Sequence, residues 1–192
     1  TATNVNEGRS LSSTVAASSL GESASVGTTI ATSSASDSEE STISWSLSGT
    51  DSGKFVIASN GTVTIGSLLD YETKQAYSIT VNVSDGTYTT SQSLTVTATN
   101  VNEAPTLSSA LAASSFAETS AVGTTIATSS ASDPESSGIT YSLSGTDSGK
   151  FSIASNGTVT LTSALDYETK DTYNIVINAS DGDNTVSQGL VI

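Results

Sequence analysis

Leu69–Glu72 reads LDYE, and the same four letters return at Leu165–Glu168. Asp70 and Glu72, like Asp166 and Glu168, stand two positions apart, so in extended backbone both carboxylates of a pair project to one side of the chain. Such a pair could be the carboxylate pair of a glycosidase, or it could supply hard oxygen ligands to a divalent cation. The other acids favour the cation. In the first half they fall at Glu7, Glu22, Asp37, Glu39, Asp70, Glu72 and Asp85, and in the second at Glu103, Glu118, Asp133, Glu135, Asp166, Glu168 and Asp181. Fourteen of nineteen acidic residues thus occupy these seven matched positions. A catalytic pair has no reason to recur inside such a set, and like charges so close together are unfavourable unless something positive sits between them.

Composition narrows the chemistry further. There is no Cys, Met or His, which excludes disulfides, thiolate chemistry, imidazole metal sites and His-based triads together. Nineteen acidic residues against five basic ones argue against nucleic-acid or anionic-membrane binding, where Lys and Arg must neutralise phosphates. The natural partner is a cation. No apolar run approaches a membrane span and no signal peptide is visible, so we expect a soluble piece whose targeting segment lies elsewhere.

Residues 3–96 align with 99–192 without a gap, and 63 of the 94 paired positions are identical. The chain is a tandem duplication, and such arrays usually come from longer strings of one unit. It stops at GLVI (Gly189–Ile192), where the first copy runs on through SLTVTATN; we expect a piece of a longer protein. The domain boundary is placed between residues 98 and 99, giving repeats 1–98 and 99–192, with linker segments at 3–8 and 99–105.

Within each repeat the pattern is strand-like. Alternation and β-branched content predict strands at Gly27–Ala35, Thr42–Leu47, Lys54–Ala58, Thr62–Ile65, Ala76–Ser84 and Ser93–Thr99. Asn60-Gly61 and Asn156-Gly157 sit between short strands as hairpin turns. About seven short strands per repeat, with no helical period, predict an all-β chain of two tandem seven-stranded antiparallel Greek-key β-sandwiches. Trp45, Phe55, Ile57, Tyr77 and Ile79, with Tyr141, Phe151, Ile153, Tyr173 and Ile175, are expected to face the core. Ser and Thr alternate with apolar residues rather than clustering with Pro, which excludes a disordered stalk.

The acidic motifs resemble the cadherin repeat, in particular the cadherin-like repeats of large bacterial surface proteins. That family places an acid after the first strand, a D-x-D or D-x-E pair after the second, L-D-x-E before the sixth, an A-x-D-G-like segment between the sixth and seventh, and a linker of the D-x-N-D-N-x-P type. Glu118, Asp133 with Glu135, Leu165–Glu168, Asp181-Gly182 and Asn100–Pro105 match in order. The resemblance spans the whole chain, twice. Departures are a linker one residue shorter than in animal cadherins, Asn100 and Glu103 where Asp is usual, and Gly8-Arg9 in place of Ala104-Pro105.

The resemblance implies calcium between successive repeats. A central set would comprise Glu22, Asp70 and Glu72 from the first repeat, Asn100, Asn102 and Glu103 from the linker, and Asp133, Glu135 and Asp181 from the second. An upstream half-set would be Asn4, Asn6, Glu7, Asp37, Glu39 and Asp85, and a downstream one Glu118, Asp166 and Glu168. Two carboxylates about 5 Å apart repel by roughly 3 kcal/mol at an effective dielectric near 20, so the set needs its ions. Oxygen-only ligands in an irregular linker suit calcium better than zinc, copper or magnesium.

The expected function is that of calcium-stiffened extender repeats in a cell-surface adhesin, located outside the cell, with calcium and the neighbouring repeats as partners. The alternative is a direct homophilic or carbohydrate-binding module, whose partner would be a surface polysaccharide or another adhesin; nearly every aromatic falls in a core pattern, with Tyr88 the main exception. An enzyme is not expected. Asp51 and Asp147, in GTDSGK, are expected to form turns, and Lys74 and Lys170 to lie on the surface. Asn60, Asn82, Asn156 and Asn178 begin N-x-S/T strings, glycosylation acceptors only in a suitable secretory pathway.

Overall fold

Period-two alternation of Ser and Thr with Val, Ile and Leu builds strands almost everywhere it occurs. The computed structural model describes residues 10–15, 19–36, 42–111 and 115–192, and the chain divides into two units, Thr1–Val101 and Asn102–Ile192. Unit 1 holds β1 (Ser10–Val15), β2 (Ser19–Gly21), β3 (Thr29–Ser36), β4 (Ser44–Ser48), β5 (Phe55–Ile57), β6 (Thr62–Ile65), β7 (Ala76–Ser84) and β8 (Thr89–Thr99). Unit 2 holds β9 (Thr106–Leu111), β10 (Thr125–Ser132), β11 (Thr140–Ser144), β12 (Phe151–Ile153), β13 (Thr158–Leu161), β14 (Asn174–Ser180) and β15 (Thr185–Val191). Among the described residues there is no α-helix.

Each unit is a two-sheet sandwich. The sheets of unit 1 run β1-β3-β6-β5 and β2-β8-β7-β4; those of unit 2 run β9-β10-β13-β12 and β11-β14-β15. One pairing departs from the antiparallel expectation. β2 runs parallel to β8, with Leu20 opposite Ala98, because β1 and β2 follow one another in chain order yet belong to different sheets. That crossing delivers Glu22 to the end of β8, where its own N–H donates to the Thr99 carbonyl at 3.1 Å.

Inward side chains fill both cores. In unit 1 they include Ile30, Phe55, Val63, Ile65, Tyr77, Ile79, Val81 and Val96, and in unit 2 Ile126, Phe151, Val159, Leu161, Tyr173, Ile175 and Ile177. Phe55 meets Tyr77 edge to face at 6.3 Å, and Phe151 meets Tyr173 at 6.4 Å. The alternation slips once per repeat. A bulge in β3 turns both Ile30 and Ala31 inward, and β10 repeats it at Ile126 and Ala127.

Trp45 faces the core as expected, but it is only partly buried, packed against the core. The reason is its strand: β4 is the sheet edge, so one flank of the indole has no neighbouring strand. Ile57, Tyr141 and Ile153 are likewise half-buried. The indole lies over the Asn60-Gly61 turn. A Cβ on Gly61 would stand 3.1 Å from Trp45 Cζ2 and 2.3 Å from the Ser33 carbonyl oxygen, and Gly61 has φ of 81°, so only glycine fits. The turn itself is a three-residue loop. Gly61 N–H donates to the Ala58 carbonyl and Ala58 N–H to the Thr62 carbonyl, both at 2.9 Å, an arrangement in which glycine takes the left-handed position.

Candidate metal centre

The LDYE segments are turns, which corrects the extended geometry the sequence predicted for them. Lys74 N–H donates to the Asp70 carbonyl at 2.9 Å, and Lys170 N–H to the Asp166 carbonyl at 2.8 Å, winding each segment into a single helical turn. The Asp70 carboxylate caps it, accepting from the Thr73 N–H at 2.7 Å and the Thr73 hydroxyl at 2.9 Å. These bonds hold the Asp70 carboxyl below its ordinary range. Asp166 repeats the arrangement with Thr169, whose hydroxyl and then N–H depress it in the same way. Each carboxylate oxygen keeps a further lone pair for a cation.

Glu22 joins this turn to the end of β8. The residue is 3% exposed. Oε2 accepts the Tyr71 N–H at 2.6 Å and Oε1 the Val101 N–H at 2.9 Å. A carboxylate oxygen of Glu22 lies within 4.8 Å of one of Glu72. In unit 2, Glu118 takes the Tyr167 N–H at 3.1 Å, and oxygens of Glu118, Asp166 and Glu168 lie within 4.8 Å of one another with all three residues exposed.

The opposite end of unit 2 gathers the second set. Asp133, just after β10, accepts the Ser137 N–H at 3.1 Å through Oδ1, and Glu135 accepts the Glu103 N–H at 3.3 Å through Oε1. Among the described residues the other oxygens, Asp133 Oδ2 and Glu135 Oε2, are buried without a hydrogen-bond partner, as is Gln92 Oε1 in unit 1. Oxygens of Glu103 and Glu135 approach within 4.8 Å. Ser136, between these acids and Ser137, has φ of 58°, a left-handed conformation that non-glycine residues adopt sparingly. Asp181 belongs to the same end. The Asn102 amide donates to its Oδ2 at 2.9 Å, while Oδ1 takes the N–H groups of Asp183 and Asn184 at 2.8 and 2.6 Å. The Asn184 N–H, above all, holds its carboxyl below the ordinary range.

In unit 1 the matching Asp85 accepts the Thr87 and Tyr88 N–H groups, both at 2.7 Å. Asn4, Asn6, Glu7, Asp37 and Glu39 lie outside the described residues. Asn100 is exposed.

One feature escaped the sequence reading. Asp51 lies in a turn, its carbonyl accepting the Lys54 N–H at 3.0 Å, and the Lys74 side chain is 41% exposed, but the two are paired: Lys74 Nζ meets Asp51 Oδ1 at 2.6 Å, and the Ser78 N–H donates to Asp51 Oδ2 at 2.7 Å. Asp147 is bound identically by Lys170 at 2.5 Å and the Asn174 N–H at 2.7 Å. Lys74 and Ser78 hold the Asp51 carboxyl below its ordinary range, and Asn174 and Lys170 do so for Asp147. A signal was present, since an opposite-charge pair keeps the same spacing in both copies. Tyr167, 68% exposed, joins Tyr88 as an aromatic outside the core.

The donor set fits calcium. Every donor is a carboxylate, amide or backbone oxygen, and two carboxylate oxygens sit buried with no protein partner, a costly state that a hard cation relieves. Asp133, Glu135, Glu103 and Asp181 at one end of unit 2, and Glu118, Asp166 and Glu168 at the other, are the residues that would hold it there. Glu22, Glu72 and Asp70 are their counterparts in unit 1.

The cadherin domain family matches residues 17–101 and 113–191. A stretch of 58 residues is 38% identical to the Fat-like cadherin-related tumor suppressor homolog of Drosophila melanogaster, covering 30% of this chain and 1% of that protein. Among solved structures, human protocadherin-24 EC1-2 (form II) superposes with a TM-score of 0.60 at 26% identity, over 91% of this chain and 90% of that one. Protocadherin gamma B2 extracellular cadherin domains 3-6 share the fold at a TM-score of 0.65 and 22% identity, over 96% of this chain and 46% of that one.

Proposed function

The chain belongs to the cadherin domain family, and from that premise we propose that its repeats bind calcium and act as structural spacers in an extracellular adhesion protein, the ions stiffening the passage from one repeat to the next. The observation that carries this reading is the pair of buried carboxylate oxygens without partners, Asp133 Oδ2 and Glu135 Oε2. A folded chain rarely leaves such atoms unsatisfied unless something outside the protein completes them.

In this reading Asn100, Asn102 and Glu103 form a ligand-bearing linker between Glu22, Asp70 and Glu72 before it and Asp133, Glu135 and Asp181 after it. The sets around Asp85 and around Glu118, Asp166 and Glu168 are lesser sites with fewer ligands. A large bacterial surface adhesin as host is part of the proposal, motivated by the shortened N-V-N-E linker. The chain has a structural rather than a catalytic role, since its carboxylate pairs are absorbed into the ligand sets.

Calcium titration of the chain by calorimetry tests the reading. The set around Asp133 should fill first, and the lesser sites should bind at about 10⁻⁴ to 10⁻³ M, the range of extracellular modules. Asp133→Ala should remove the tight phase while both sandwiches stay folded. A tight phase that survives Asp133→Ala would overturn the assignment.

A further inference from the structure

We propose that Lys74, and Lys170 in the second repeat, are positioning residues for the cation-binding LDYE turns, fixing each turn in its binding shape before a cation arrives. The proposal rests on the calcium reading above and names residues that reading does not include.

The problem they solve is repulsion. The turn must present Glu72 beside Glu22, two like charges within 4.8 Å, and with no cation present that arrangement pushes itself apart. One restraint comes from Glu22, which holds the Tyr71 N–H. The other comes from the rear of the turn. The Tyr77 hydroxyl donates to the Asp70 carbonyl and accepts the Asp70 N–H, both at 3.1 Å. Lys74 closes the turn through its backbone, and its ammonium is committed to Asp51 at 2.6 Å while lying 5.7 Å from the centre of the Tyr77 ring. Asp51 is in turn pinned to the backbone of β7 through Ser78. Lys74 therefore ties the exit of the turn to a central strand of the sheet.

The second repeat copies each contact. Lys170 pairs with Asp147 and lies 5.5 Å from the Tyr173 ring centre, and the Tyr173 hydroxyl brackets Asp166 at 3.1 and 3.4 Å. Lys54 and Lys150 also reach these segments, donating to the Leu68 and Ala164 carbonyls at 2.9 and 3.1 Å just before each turn, whereas Lys74 and Lys170 close the turns themselves.

Charge and position make opposite predictions for Lys74. As a mere nearby cation it weakens calcium binding, so its removal should tighten binding. As a positioning residue it should strengthen binding, as groups behind metal ligands do, with losses of about tenfold or more when they are removed. The test is calcium titration of the full chain carrying Lys74→Met, which keeps the length of the stem and loses the charge. It is read on the phase that Glu72→Gln abolishes, together with amide hydrogen exchange at Tyr71 and Thr73 in chelator.

We expect half-saturation to rise about tenfold, exchange at both amides to quicken in chelator, and Lys74→Arg to restore both. Tyr77→Phe, which changes no charge, should move both readouts in the same direction. Unchanged or tighter calcium binding in Lys74→Met, while the unaltered chain binds normally, would overturn this proposal and leave the calcium reading standing. Failure of the unaltered chain to take up calcium would overturn both.

Discussion

Asp51 and Asp133 are both acids at the end of a strand or turn, repeated in both copies, yet the protein treats them oppositely. Asp51 spends each oxygen on a donor from its own chain, the Lys74 ammonium and the Ser78 N–H. Asp133 gives one oxygen to the Ser137 N–H and buries the other with no partner, and Glu135 does the same beside it. The contrast separates acids that hold the fold from acids that wait for something else. A carboxylate closed by its own chain contributes to stability with or without calcium. One left open should oppose folding until a cation arrives.

The largest effect on stability is expected where no carboxylate is involved, and it sets the scale for the rest. Trp45→Ala should lower unfolding free energy by about 2–3 kcal/mol, under the 3–5 typical of a fully buried aromatic, because the indole is only partly covered. Denaturant melts in calcium and in chelator should give equal losses. A loss confined to calcium would mean that the core and the cation sites are coupled, which would break the contrast.

A smaller, equally calcium-independent loss is expected for Asp51→Asn, which weakens the Lys74 bond; the melting midpoint should fall by a few degrees in both solutions. Acids bonded by their own chain, whether or not they also face a cation, predict the response to pH. Folded-state bonding depresses Asp51, Asp70, Asp147, Asp166 and Asp181. Their stabilisation is therefore complete above the ordinary value of about 3.9 and is lost as pH falls through the depressed values. A melt series in chelator from neutral pH to about pH 2 should show this acid limb, and the double variant Asp51→Asn, Asp147→Asn should flatten it. An unchanged limb would mean that these bonds contribute nothing in solution.

How far the sequence carried depended on distance along the chain. Strands at Thr62–Ile65 and Ala76–Ser84 were legible to the residue, since period two and β-branching are local properties. The matched acids stand out in the sequence because duplication wrote them twice. What stayed hidden was long-range or conformational. Asp51 finds Lys74 and Ser78 at separations of 23 and 27 residues, which no local pattern encodes. β2 pairs parallel to β8 across most of its repeat. The LDYE turn looks extended on spacing alone, and only the Thr73 cap and the Lys74 backbone bond reveal that it winds. Trp45 has the alternation of a core residue, but its strand lies at the sheet edge, and edge position is a property of topology.

The most direct test of the distinction is Glu135→Gln, an isosteric change that removes the charge and keeps Oε1 for the Glu103 N–H. Scanning calorimetry of the variant and the unaltered chain would be run in chelator and in millimolar calcium. If Glu135 is an acid held open for a cation, the variant should be as stable as the unaltered chain in chelator, or more so by about 1 kcal/mol. It should also lose most of the stabilisation that calcium confers by binding the native state. A variant that is destabilised in chelator and still gains the full calcium increment would contradict the account, because Glu135 would then hold the fold as Asp51 does.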